Sequence, residues 1–285
     1  MASTGISALD DSRFAAIVQS EIIHELRPAM TTRAFLRQAT GGAGNIAQFV
    51  LYGDPGPAAA PANDITDIAS TAMSDSNIQV TAAEVGQRID VSDVVRAVSV
   101  QNVVADASAM ISRSVIEKWE TDLAALMDDF SNVTAASSTL TPLDHLAAVA
   151  ALEQRDIPGP YVAYYHPKQT GELRTEIATT SASYEVGGPD ADLVKPFPNQ
   201  GFFGTYMGVP IWQTSCVVTT AGRLGGAVFE ANSSAGTALG YYELWGPRLE
   251  SQRFVYSRAL VIVGTQCYGV VEVSDTRGQT VTSAA

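Results

Sequence analysis

From Val91 to Phe130 the chain contains neither proline nor glycine. Within that run Ile111, Val115, Trp119, Leu123, Leu126 and Phe130 recur at three- and four-residue steps, the spacing of one face of an α-helix. Ser92 or Asp93 is placed to open the helix, and the Ser/Thr-rich stretch Ser131 to Thr141 closes it. An unbroken helix of this length exceeds the ordinary globular helix, so a break is expected near Ala97 to Gln101.

What precedes the helix is extended. Ile46 to Tyr52 (IAQFVLY) reads as a strand, and Ile78 to Asp90 as a second strand run with Ile78, Val80, Val85 and Ile89 in partial alternation. Between them DPGPAAAP (Asp54 to Pro61) is broken by three prolines and a glycine. Asn45 to Asp90 therefore reads as a long hairpin with a wide tip of small residues. It holds too few large hydrophobic side chains to fold alone, so it needs support from another chain or stands as a surface insertion. Phe49, Leu51, Tyr52, Ile78 and Val80 are its candidate contact residues. An amphipathic helix is expected over Asp11 to Arg27, stopped by Pro28, with Phe14 and Ile17 on its apolar stripe as further contact candidates. Gly41, Gly42 and Gly44 lack the GK[ST] ending of a phosphate-binding loop and read as a hinge or turn.

After Thr141 helix and strand alternate. Thr141 caps a helix that has Pro142 at its first position. YVAYY (Tyr161 to Tyr165) is a buried type of strand, and His166-Pro167 opens another helix. Ser181 to Asn199 is a Gly/Pro-rich loop, and Val209 to Ser215 and Arg223 to Glu230 read as strands. Glu243 to Gln266 and Gly269 to Val273 make the end of the chain β-rich.

Hydrophobic residues make up 46% and charged residues 16% of the chain. That is too apolar for disorder and sparsely charged for a solitary subunit. It fits either an apolar enzyme or a protein that covers its surface with copies of itself. The net charge of −13, with Lys118, Lys168 and Lys195 the only lysines, argues against sequence-specific nucleic-acid binding. No secretion signal is evident at Met1 to Phe14, and the apolar run Ala259 to Val273 is broken by Gly264, Thr265, Gln266 and Gly269, so it reads as strand and not as a membrane span.

Catalytic signatures are missing: there is no GxSxG, no HExxH and no Rossmann fingerprint. Cys216 and Cys267 share no metal-ligand spacing and read as reduced thiols. A Cys–His nucleophilic pair is conceivable, for example Cys216 with His166, but nothing in the spacing supports it, and His24 and His145 read as helix-surface residues. Asp128-Asp129 is an acidic pair at a helix C-terminus, where acids are disfavoured. It is a weak metal candidate. No catalytic, cofactor-binding or metal site is therefore assigned.

Several phrases, in their order, resemble the major capsid proteins of tailed bacteriophages with the Hong Kong 97-like fold. They are VGQRIDVSD (Val85 to Asp93), VIEKWETDLAALMDDF (Val115 to Phe130), YVAYYHPKQTGEL (Tyr161 to Leu173), GTYMGVPIWQTS (Gly204 to Ser215), GAVFEANSSAG (Gly226 to Gly236) and YGVVEV (Tyr268 to Val273). The resemblance implies an α+β capsid fold. Residues 1–44 would form the N-terminal arm and 45–90 the extended loop. Residues 91–140 with 239–285 would form a peripheral domain around a spine helix, and 141–238 the axial domain. It also implies pentamers and hexamers closing into an icosahedral head around double-stranded DNA, bound without sequence specificity.

The further partners implied are a portal, a separate scaffolding protein and a cement protein, with assembly in the host cytoplasm and residence in the virion. Some relatives crosslink through a lysine of the extended loop. Residues 45–90 contain no lysine, so that chemistry is not expected. The alternatives are an encapsulin-type nanocompartment shell, which resembles the same fold, and an enzyme with an unrecognised site.

Overall fold

A computed structural model of the chain describes residues 36–39, 44–53, 72–99, 102–135, 138–180, 202–217, 219–233 and 236–285. The expected helix Asp11 to Arg27, the Asp54 to Pro61 tip and the Ser181 to Asn199 loop lie outside these residues. In chain order come β1 (Arg37–Gln38), β2 (Ile46–Tyr52), β3 (Asp75–Thr81), β4 (Ala83–Ser92), α1 (Asp93–Val98), α2 (Val103–Asp128), β5 (Val133–Ala135) and α3 (Pro142–Glu153). Then follow β6 (Tyr161–Tyr165), α4 (Pro167–Thr180), β7 (Phe202–Tyr206), β8 (Val209–Gln213), β9 (Thr219–Thr220), β10 (Arg223–Glu230), β11 (Leu239–Phe254), β12 (Ala259–Glu272) and β13 (Gly278–Ala284).

The long helical run divides between Val98 and Val103, overlapping the Ala97 to Gln101 span expected. Ser92 caps α1 by accepting a hydrogen bond from the Val95 N–H at 3.3 Å. The Ser99 N–H still reaches the Val95 carbonyl at 2.9 Å, but the Ser99 backbone is extended and the helix stops there. Behind the break α2 buries Val104, Ile111, Val115, Trp119, Leu123 and Met127. Trp119 meets Tyr241 edge-on at 5.7 Å and Tyr268 at 4.6 Å, contacts that add to simple area burial.

The helix packs on two sheets at once, because one core cluster holds α2 residues together with Tyr164 and Phe229 of one sheet and Tyr241, Ile262 and Tyr268 of the other. The first sheet has four strands in the order β1-β11-β12-β4. The second has the order β5-β13-β10-β6-β8-β7, with β9 paired to β10. In that second sheet Phe229, Tyr164 and Trp212 stack across adjacent strands, at 5.8 and 6.5 Å. On its other side lies a separate cluster with Leu140, Leu152 and Leu173 from the helical layer. Thr141 caps α3 with Pro142 in its first turn, as the sequence predicts, and Asp144 completes a reciprocal capping box with it.

Two expectations are corrected. The hairpin does not run from Asn45 to Asp90. β2 pairs only with β3, from Ile46↔Thr81 to Tyr52↔Asp75, and β4 turns away to pair with β12 from Ala83↔Tyr268 to Ser92↔Ala259. The reason is the inward face of β4: Val85, Ile89 and Val91 pack on the α2 core, which a free hairpin arm would leave uncovered. Nor does all of 239–285 stay with the spine-helix sheet. β13 lies between β5 and β10 in the second sheet.

Candidate assembly surfaces

The β2–β3 hairpin has two faces of different character. Ala47 and Phe49 of β2 and Val80 of β3 point inward and join Tyr242, Cys267 and Val273 in a third core cluster, with Leu51 and Ile78 packed against it. Phe49 sits directly over Gly240: a side chain added there would come within 2.5 Å of its ring. That close approach is what the glycine permits. The base is tied down by Ala82 N–H to the Asn45 carbonyl at 2.7 Å and by the Tyr242 hydroxyl to the Gly44 carbonyl at 3.2 Å. The outward face carries Ile46, Val50 and Tyr52, and Tyr52 is 66% exposed.

Of the contact candidates, then, Tyr52 projects, Leu51 and Ile78 are half-buried, and Phe49 and Val80 are buried in their own chain. Phe14 and Ile17 lie outside the described residues.

Sequence reasoning passed over a second surface, at the far end of the four-stranded sheet. α1 contains no buried residue, and beside it Val255 to Arg258 turn the chain from β11 into β12. The two are joined by Asp93: its backbone N–H donates to the Arg258 carbonyl at 2.9 Å, and its carboxylate pairs with Arg253 at 2.6 Å. The hydrogen bond from Arg253 and the nearby Arg96 and Arg258 charges hold the Asp93 carboxyl below its ordinary range. Val94, Val98, Val255 and Tyr256 are all exposed here.

Among the described residues no hydrogen bond joins Cys216 to His166. The Cys216 thiol lies 3.7 Å from a Glu120 carboxylate oxygen, and burial, the Glu120 charge and that contact push its pKa up, the opposite of an activated nucleophile. His166 accepts from the Lys168 backbone N–H at 3.1 Å, and burial with the Lys168 charge lowers its pKa. His145, expected on a helix surface, is instead buried inside α3. Its Nδ1 lies 2.8 Å from the Tyr165 hydroxyl, while Nε2 has no partner.

Asp128 has a structural explanation that overrides the helix dipole. Its carboxylate accepts from the Thr220 hydroxyl at 2.6 Å and occupies the space a side chain at Gly225 would fill. Among the described residues no group of three or more His, Cys, Asp or Glu is arranged to hold a metal ion. No described helix is long and apolar enough to cross a membrane.

No protein-family model matches the sequence, and no curated protein matches it either. Solved structures do match. The chain is similar to a Mycobacterium phage Che8 structure at 17% identity and TM-score 0.63, over 84% of this chain and 85% of that one. It is similar to the capsid of Ralstonia phage GP4 at 10% identity and TM-score 0.67, over 88% and 87%. It also resembles the SrpI encapsulin of Synechococcus elongatus PCC 7942, at 13% identity and TM-score 0.61, over 90% and 87%. The long helix lying across two sheets, the hairpin and these whole-chain likenesses lead to one conclusion: this chain has the fold of the tailed-phage major capsid proteins.

Proposed function

We propose that the chain is the major capsid protein of a tailed bacteriophage, a subunit that assembles with copies of itself into the icosahedral head around double-stranded DNA. The observation that carries this reading is the likeness to phage capsids through 84% or more of both chains. The arrangement of reactive side chains adds support. Burial and the Glu120 charge push the Cys216 thiol pKa up, and His145 is buried in the core. The chain's role is mechanical, not enzymatic.

In this reading 1–44 form the arm, the β2–β3 hairpin is the extended loop, and α2 with the four-stranded sheet forms the peripheral unit. The β5–β10 sheet with its helices, closed by β13, forms the axial unit. Subunits meet through the outward face of the hairpin, with Tyr52 in the contact. The net charge of −13 suits a container that must not grip the phosphates of its contents. A separate scaffolding protein, a portal and a cement protein are the expected companions, with assembly in the host cytoplasm. The encapsulin likeness supports a second reading, a nanocompartment with a protein cargo.

Negative-stain microscopy with light scattering on the purified chain tests both readings. Closed polyhedra, pentamers or hexamers are expected, and nuclease-protected DNA in native particles distinguishes a phage head from a compartment. A stable monomer or small dimer, even with scaffolding protein from the same source, would overturn both.

A further inference from the structure

The start of α4 is fastened by an imidazole. His166 precedes Pro167, the first residue of the helix, and its carbonyl accepts the helix's first hydrogen bond, from the Thr170 N–H at 3.0 Å. At this position the side chain of an aspartate, asparagine, serine or threonine ordinarily accepts from an unpaired N–H of the first turn. Here the ring does so: His166 Nδ1 accepts from the Lys168 N–H at 3.1 Å. Gln169 completes a reciprocal box, its Oε1 accepting from the His166 N–H at 3.0 Å.

The two residues after Pro167 tie this turn to the second sheet. Gln169 is 0% exposed, and its Nε2 donates to the Leu224 carbonyl of β10 at 3.4 Å and to the Val281 carbonyl of β13 at 3.3 Å. Gly226 of β10 leaves space for it, since a side chain there would come within 2.8 Å of Gln169 Oε1. Lys168 Nζ donates to the Ala284 carbonyl of β13 at 3.1 Å.

A hydroxyl or amide caps a helix at any ordinary pH. An imidazole accepts at Nδ1 only while that nitrogen carries no proton. A proton there sets two donors against each other. It also places a positive charge at a helix N-terminus, where the helix dipole and Lys168 both oppose it. Burial and the Lys168 charge accordingly lower the His166 pKa. The acids of the neighbouring helices are engaged elsewhere: Asp144 of α3 holds Thr141, and Glu172 of α4 accepts from the Leu140 N–H at 2.8 Å. Farther along, α4 carries Arg174 and Glu176. β8 and β13 have no ionisable side chain and β6 has only tyrosines. β10 has Arg223 and Glu230, and Glu230 is paired with Arg277.

We propose that His166 is an acid-released latch: its neutral imidazole holds the first turn of α4 closed over β10 and β13, and protonation lets that turn open. The opened turn takes up a proton as the pH falls through the ordinary histidine value of 6.5, whereas the closed turn resists it. Opening is therefore favoured by up to about tenfold for each pH unit below that value. The device lies within one chain and stands apart from the shell reading.

Two mass-spectrometric readings on the full chain, kept in one assembly state throughout, test the latch. Exchange of the imidazole C2 hydrogen gives the titration midpoint of His166, expected below 6.5; a midpoint at or above 6.5 would overturn the proposal. Amide exchange of the peptide spanning 166–172, corrected for intrinsic rates, is then compared between the wild type and His166→Asn, which keeps a cap that does not titrate. Between pH 7 and pH 5.5 the wild type should lose roughly three- to tenfold more protection than the variant. The His145 titration is common to both proteins and cancels. Equal losses, or no loss in the wild type, would refute the latch. The first reading needs no variant, so it decides the question even if His166→Asn does not fold.

Discussion

Acid should weaken this subunit through one buried side chain. His145 is 0% exposed, its only hydrogen-bonded nitrogen is Nδ1, and burial lowers its pKa from 6.5 to about 4. In the unfolded chain the imidazole takes up a proton as the pH falls through 6.5, whereas in the folded chain it stays neutral down to about 4. The unfolded state therefore binds more protons across this window, and stability falls as the pH drops through it. Above 6.5 the contribution is fully present; below 4 nothing further is lost.

At about 1.36 kcal/mol per pH unit, the full window amounts to roughly 3.4 kcal/mol, of which about 2.5 kcal/mol is lost between pH 7 and pH 4.5. Carboxylates also titrate in this range, so the informative quantity is a difference between proteins. His145→Asn keeps an acceptor for the Tyr165 hydroxyl and removes the titration. Urea unfolding of the unassembled subunit at pH 7 and at pH 4.5 should show the wild type losing about 2.5 kcal/mol more than the variant, whatever the variant costs at neutral pH. Parallel losses in the two proteins would refute the reasoning, because they would mean that the folded state accommodates the charged ring.

Two further predictions concern the junctions of the fold. Arg277 pairs with the carboxylate of Glu230, which is 0% exposed and also accepts from Ser233 at 2.8 Å. Arg277→Met should lower unfolding free energy by about 3–5 kcal/mol by leaving that charge uncompensated, and adding Glu230→Gln should recover part of it; denaturant titration of the three proteins checks both. Replacing residues 53–74 by an Asn-Gly turn joins Tyr52 to its register partner Asp75. The product should remain folded by circular dichroism but no longer close shells under the electron microscope, and normal shells would remove the hairpin from the assembly.

Much of the fold was legible because its elements advertise themselves through large apolar residues. α2 was visible in the four-residue recurrence of Ile111, Val115, Trp119 and Leu123, and β2, β6 and β10 appear at the bounds the sequence predicts. β13 was not visible, because it is GQTVTSA and yet almost wholly buried. Gln279 and Thr280 are satisfied by partners far away in sequence, whereas the buried Thr282 and Ser283 hydroxyls have no hydrogen-bond partner. The Thr280 hydroxyl donates to the Met127 carbonyl at 2.8 Å, Gln279 donates to Thr134 at 3.0 Å, and Arg155 donates to the Thr276 carbonyl at 2.8 Å and to Gln279. A buried strand made of threonine, serine and glutamine has no signature in a local window, since the groups that make its burial tolerable belong to other elements. His145 was misjudged for the same reason: its neighbours on α3 say nothing of Tyr165 and Tyr206, which enclose it.

The assembly surfaces expose the opposite weakness. A hydrophobic pattern identifies residues that seek cover but does not say whether their own chain supplies it. Phe49 and Tyr52 belong to one strand and both looked fit for contact, yet the odd register turns Phe49 onto Gly240 and leaves Tyr52 outside. Val94, Val95 and Val98 fall at the start of the expected long helix, and only the fold reveals that none of the residues of α1 is buried. An exposed valine is unremarkable alone. Several of them beside a fully exposed tyrosine and three arginines, on an acidic and sparsely charged chain, form a surface unfinished in the single subunit. Under the proposed shell reading, area that a solitary protein would keep soluble with lysine and glutamate is left apolar for another copy to cover.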